Sequence, residues 1–211
     1  EQVETKSAMI TAHGASNGTR NRAKAAGLQI SDATCPLVHY AHKQILELTA
    51  IGYHPIIIGR LGHVEVRGLT EDLSEYDVVL CEDEINALTA KPRFGVVAQT
   101  TQPIARVRAL VKHLKSGFPN SEVRFIDTVC KPTKQRQSAA EKLARKSDVV
   151  LVVGGINSNN THELTRTCRR FCERVHHVQG PDEILAEWLF DTDTIGITAG
   201  TSTPDQLINA V

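Results

Sequence analysis

The 211 residues carry 24 basic and 24 acidic side chains, so the formal net charge is zero and no basic face points to nucleic acid or an anionic membrane. Hydrophobic residues make up 41% of the chain, yet no apolar run reaches the length of a membrane span and residues 1–15 lack a signal-peptide layout. Five cysteines without secretory features point to a reducing, cytoplasmic setting, where thiols serve metals or catalysis more often than disulfides.

In chain order, residues 8–12 read as a buried strand stopping at His13-Gly14, and 17–26 as a short helix closed by Gly27. The apolar positions Leu37, Val38, Ala41, Ile45 and Leu48 recur three or four apart, which predicts an amphipathic helix opened by Pro36 and stopped at Gly52. A strand over 55–59 leads into a loop over 62–68 that holds His63 and Glu65. Strands over 77–80 and 94–98 follow, the second ending in Gln99-Thr100-Thr101-Gln102-Pro103. A helix with Ile104, Val107, Leu110, Val111 and Leu114 on one face runs to Gly117, and a strand over 123–126 delivers Asp127-Thr128-Val129-Cys130. After a short helix, the apolar run ending at Val153 opens into a Gly/Ser/Asn cluster that closes at Asn160. Leu164, Cys168, Phe171, Cys172 and Val175 mark one helical stripe; a helix over 181–189 and a strand over 195–199 follow, ending in Gly200-Thr201-Ser202-Thr203-Pro204. Strands alternating with helices predict an α/β protein with parallel sheets covered by helices.

The chain repeats itself. Asp32-Ala33-Thr34-Cys35 returns as Asp127–Cys130, and Gly154 stands as far beyond Cys130 as Gly59 does beyond Cys35. Three strand ends also share a polar character, those at His13, at Thr100–Thr101 and at Ser202. Ligands of parallel sheets gather beyond the carboxyl ends of strands, so these clusters are expected to converge on one centre. Small parallel-sheet modules in a pseudo-threefold arrangement around that site are the fold expected. The segmentation is a remnant first module over 1–34 completed by 203–211, a second over 35–126 and a third over 127–202. With three strand ends but two Asp-x-x-Cys units, the chain is expected to be an N-terminally truncated three-module protein whose further cysteine lies on the order of sixty residues before residue 1.

Cys35 and Cys130 hold equivalent places at the starts of helices, where free N–H groups favour a thiolate ligand. Spacing this wide argues against a small zinc knuckle and suits thiolates from separate modules around an iron–sulfur cluster. Cys168 and Cys172, on an apolar stripe, and Cys81, at a strand end, read as core. His13 and His63, each beside glycine in a strand-end loop, are candidate anion donors; the other seven histidines fit helix surfaces or turns. Glu65 beside an anion site reads either as a proton donor or as a surface carboxylate. Thr100, Thr101, Ser158, Asn160 and Ser202 are neutral donors suited to phosphate oxygens, or else turn formers.

These motifs, in this order, resemble one family. Ala12-His13-Gly14, Asp32–Cys35, Gly62-His63-x-Glu65, Gln99-Thr100-Thr101, Asp127–Cys130 with Arg136-Gln137, Asn157-Ser158-x-Asn160 and Thr198–Asp205 are similar to the 4-hydroxy-3-methylbut-2-enyl diphosphate reductase family, LytB/IspH. The resemblance implies a [4Fe–4S] cluster with Cys35 and Cys130 as two of its three cysteine ligands, the third lying outside this chain. It implies a small diphosphate substrate bound by His13, His63, Ser158, Asn160 and Ser202, and proton transfer by Glu65 with a hydroxyl from Thr100 or Thr101. Electrons would come from a ferredoxin- or flavodoxin-type donor, and the products would be isopentenyl and dimethylallyl diphosphate. A diphosphate-binding homologue without a cluster and a zinc hydrolase built on Cys35, Cys130 and a histidine are the rival readings. A dinucleotide enzyme is weaker, since no G-x-G-x-x-G follows a strand.

Overall fold

In a computed structural model, residues 6–211 are described; the opening of the module expected over 1–34 lies outside the described residues. The strands are β1 (Ser7–Ile10), β2 (Gln29–Asp32), β3 (His54–Ile58), β4 (Asp77–Val79), β5 (Arg93–Ala98), β6 (Glu122–Phe125), β7 (Val149–Val153), β8 (Arg174–Val178) and β9 (Ile195–Ala199). The helices are α1 (Asn17–Ala25), α2 (Pro36–Ala50), α3 (Val64–Thr70), α4 (Glu82–Asn86), α5 (Ile104–Gly117), α6 (Lys131–Ala144), α7 (Asn159–Cys168) and α8 (Asp205–Ala210). Among the described residues every strand pairing is parallel, in three sheets ordered β1-β2, β4-β3-β5-β6 and β8-β7-β9. The expected α/β class with parallel sheets is what the chain adopts. It divides into two compact units, Glu1–Cys130 and Lys131–Val211.

Within the first unit the four-stranded sheet is covered on both faces, because side chains alternate across a strand. Ile56 and Ile58 of β3 join Phe94, Val96 and Ala98 of β5 against Ile85 of α4 and the Val107, Leu110, Val111 and Leu114 stripe of α5. Ile57 and Val97 point the other way, onto Ala41, Ile45 and Leu48 of α2 and Val66 and Leu69 of α3. The N-terminus of α1 is tied to the end of α3 by carboxylates: Asn17 and Gly18 donate main-chain N–H groups to Asp72, and Ser16, Thr19 and Arg22 donate to Glu71. Those donors, Ser16 foremost, hold the Glu71 carboxyl down at about 2. Anions at a helix N-terminus are stabilising there, and this one fixes the His13 turn beside the helix that follows His63.

In the second unit all five residues of β7 are buried. Val150 and Val152 face Ala140 and Ala144 of α6 and Leu164 and Cys168 of α7. Val153, Val178 and Ala199 instead take Leu207, Ile208 and Val211, so these residues of 203–211 pack onto the third sheet.

Several elements differ from the sequence expectation. The stripe from Leu164 to Val175 is one hydrophobic cluster but not one helix: α7 ends at Cys168, the chain turns, and Val175 belongs to β8. Residues 181–189 form two short 3-10 turns, Pro181–Glu183 and Ala186–Trp188, because Ile184 and Leu185 are extended between them and Ile184 and Trp188 pack on the third sheet in that form. Residues 64–70 are helical rather than loop, since Val66 and Leu69 are drawn into the core. Cys81 is exposed, not core; it caps α4, with its N–H donating to Glu84.

Candidate active site

The repeat reaches down to individual hydrogen bonds. Asp32 Oδ1 accepts from the Thr34 N–H at 3.0 Å and Asp127 Oδ1 from the Val129 N–H at 3.2 Å, each closing a turn before its cysteine. The Cys35 N–H then donates to the carbonyl of Ala12, just past β1, and the Cys130 N–H to that of Thr100, just past β5, both at 3.0 Å. Thr128 tightens the second copy: its buried hydroxyl bridges both main-chain groups of Ala98. Cys35 and Cys130 thus sit in like turns, each directly before a helix, and both are outside any disulfide and partly exposed.

Glu65, in the first turn of α3, is only 1% exposed. Thr100 closes over its carboxyl, with its N–H 2.6 Å from one oxygen and its hydroxyl 3.0 Å from the other. Burial pushes the Glu65 carboxyl up, and the two Thr100 contacts oppose that shift. Thr101 makes no such contact; its hydroxyl accepts from the Gln99 amide at 3.3 Å. Gln99, fully buried, also accepts the Arg60 N–H at 3.1 Å and the Gln102 amide at 3.0 Å, so it ties the start of the His63 loop to the end of β5. The sequence assigns Gln99 no role, although its place at a strand end, directly before Thr100 and Thr101, is the available signal.

His63 caps α3, its Nδ1 accepting the Glu65 N–H at 3.1 Å. The ring proton therefore sits on Nε2. Burial foremost, with the nearby His13 and Arg60 side chains, pushes the His63 imidazole down, so at neutral pH it is an uncharged donor. The His13 ring lies edge-on to it, centroids 5.6 Å apart.

In the second unit the loop after β7 and the loop after β9 are stitched together. Ser158 caps α7 by accepting the Thr161 N–H, which leaves its own hydroxyl proton free to donate. The Asn160 amide donates to Thr201 beside Ser202, at 3.1 Å, and Thr203 donates to the Val153 carbonyl. Ser158→Ala removes the cap and is expected to cost about 1 kcal/mol of stability, measured by urea denaturation. Gly154 and Gly200 both press on Thr161: a Cβ at Gly154 would lie 2.5 Å from its hydroxyl, and one at Gly200 would also collide with it.

A family model described as LytB protein matches residues 1–211. The chain belongs to the LytB family. Among LytB relatives, the 4-hydroxy-3-methylbut-2-enyl diphosphate reductase of Anaeromyxobacter sp. (strain Fw109-5) is 37% identical over 204 residues, covering 96% of this chain and 71% of that protein. The reductase of the same name from Pelobacter propionicus is 35% identical over 213 residues, covering 100% and 75%. Among solved structures, the E-1-hydroxy-2-methyl-but-2-enyl-4-diphosphate reductase of Plasmodium falciparum superposes with a TM-score of 0.89 at 29% identity, and the chain spans 65% of its length. A second, described as the terminal enzyme of the non-mevalonate pathway, gives 0.66 at 32% identity, with 77% spanned.

Cys35 and Cys130 are partly exposed cysteines outside any disulfide in matching turns, and thiolates have the donor chemistry that an iron–sulfur cluster takes. Among the described residues no three His, Cys, Asp or Glu side chains group as a metal site.

Proposed function

We propose that the chain carries the reductase chemistry of its relatives, the reductive removal of the hydroxyl from 4-hydroxy-3-methylbut-2-enyl diphosphate. Two electrons and two protons enter, the allylic C–O bond breaks, the oxygen leaves as water, and the second proton ends on carbon in isopentenyl or dimethylallyl diphosphate. The single observation that carries the reading is Glu65: a carboxyl buried to 1% exposure, its burial favouring the protonated form, and touching one hydroxyl. A buried acid of that kind is a proton source.

Protonated, Glu65 hands its proton to the Thr100 hydroxyl, and that hydroxyl passes its own proton to the departing oxygen. His13 and His63, in the first unit, offer ring N–H donors to diphosphate oxygens; Ser158, Asn160 and Ser202, in the second, offer neutral hydroxyl and amide donors. Cys35 and Cys130 would hold a [4Fe–4S] cluster, which when bound supplies single electrons and a Lewis-acidic iron. A ferredoxin- or flavodoxin-type protein is the electron donor, and five cysteines outside any disulfide suit a cytoplasmic setting.

The test is anaerobic reconstitution with iron and sulfide of a chimera that joins this chain to the N-terminal segment of the Anaeromyxobacter relative. A brown protein with a [4Fe–4S] EPR signal that converts the substrate to the two five-carbon diphosphates is the expected result. A folded chimera that stays colourless and inert overturns the proposal.

A further inference from the structure

Two histidines outside the set of donors named above hold the loop that ends at Ser158 and leads into Asn160 at the start of α7. His177, on β8, places Nε2 2.8 Å from the Gly154 carbonyl, and His162, on α7, places Nε2 2.5 Å from the Ile156 carbonyl. A carbonyl only accepts, so both rings carry their proton on Nε2. The rings meet edge-on with centroids 5.3 Å apart, each limiting the tilt of the other. A third tie reaches the same loop: the Ile156 N–H donates to Gln179 Oε1, and Gln179 is fixed in turn by donating its main-chain N–H and its amide to Glu183.

We infer that His162 and His177 are positioning residues for the diphosphate-binding loop, acting by holding its carbonyls in donor contacts so that the loop shows an anion only N–H and O–H groups. The inference rests on the diphosphate reading of Ser158 and Asn160. Its physical basis is the sign of the loop's own dipoles. The strand-to-helix loop has carbonyl oxygens at Gly154 and Ile156 as well as the N-terminal N–H groups of α7, and a free carbonyl turned toward a diphosphate would repel it. Each histidine ties one carbonyl down from behind. Neither needs to touch the ligand, and neither does its work through charge.

The experiment is calorimetric titration of inorganic pyrophosphate into the 211-residue chain and into His177→Phe, His162→Phe, His177→Gln and His162→Gln. Phenylalanine keeps the ring contact and loses the donor; glutamine places an amide N–H near the position of Nε2. Each Phe variant is expected to bind pyrophosphate about fivefold more weakly, the loss of one neutral hydrogen bond, and each Gln variant to return within about twofold of the parent. Melting temperatures are recorded alongside. A merely structural role would lower the melting temperature of the Phe variants while leaving the affinity of the folded protein unchanged, and that result overturns the inference alone. Should one Phe variant fail to fold, the other histidine and both Gln variants decide. Failure of the parent chain to bind pyrophosphate, or undiminished binding by Ser202→Ala together with Ser158→Ala, overturns the diphosphate reading and the inference with it.

Discussion

Glu65→Gln is expected to lower kcat by about 10²–10⁴ while KM for the diphosphate substrate stays within about twofold, because it removes a proton donor and leaves the anion donors in place. The amide keeps the shape of the carboxyl and can still accept from Thr100, so folding should survive. Thr100→Val should lose activity in the same direction, since it removes the hydroxyl that meets the Glu65 carboxyl. Thr101→Val, whose hydroxyl meets Gln99 instead, should lose much less. Steady-state kinetics on the reconstituted protein with a reduced donor checks all three; equal losses at Thr100 and Thr101 would remove Thr100 from the relay. Stability gives a second readout. Burial raises the carboxyl of Glu65 in the folded state, so between the ordinary glutamate value and the raised one the native chain keeps a proton that the unfolded chain has lost. Its contribution is fully present below the ordinary value and fades as the pH climbs through the raised one. Glu65→Gln should therefore flatten that part of the curve of denaturation midpoint against pH.

Gly200→Ala is expected to destabilise the second unit by about 3 kcal/mol, a fall of roughly 6–12 °C in Tm, because its new methyl would run into the Thr161 hydroxyl. Thr161 is 1% exposed, and its hydroxyl has no hydrogen-bond partner among the described residues, so it has nowhere to swing. Gly154→Ala should cost at least as much, since Gly154 also holds a φ of +156° that other residues rarely adopt. The decisive variant is the double one. Thr161→Ala clears the space both methyls need, so Thr161→Ala/Gly200→Ala should recover more than half of the loss, a strongly non-additive cycle in differential scanning calorimetry. A Gly200→Ala protein that melts with its parent would show that the close approach does not exist.

Much of this was legible from residue order. The Ile56–Ile58 and Val149–Val153 runs announce strands buried on both faces, and the spacing from Val38 to Leu48 announces α2, because period and burial are local properties of the sequence. The repeated Asp-x-x-Cys predicted equivalent turns, and the equivalence holds at the level of single N–H groups. What could not be read were places where tertiary packing overrides period. Val175 shares a cluster with Leu164 while belonging to a strand, so its spacing mimicked a helix. The choice between Thr100 and Thr101 as partner of Glu65 depends on which way a strand end turns, which their adjacency does not specify. His162 and His177 were set aside as surface or turn residues because nothing in their order brings a helix position and a strand position edge to edge.

Thr100 also joins two functions in one peptide segment. Its N–H and hydroxyl grip the acid, and its carbonyl receives the amide of Cys130. The turn before Cys130 and the carboxyl of Glu65 are thus hinged on a single residue. Evolution cannot retune one without disturbing the other: a shift that moved the Cys130 sulfur would drag the grip on Glu65 with it. On the reductase reading proposed above, the placing of the cysteine and the placing of the acid would be one mechanical adjustment, made at one amino acid.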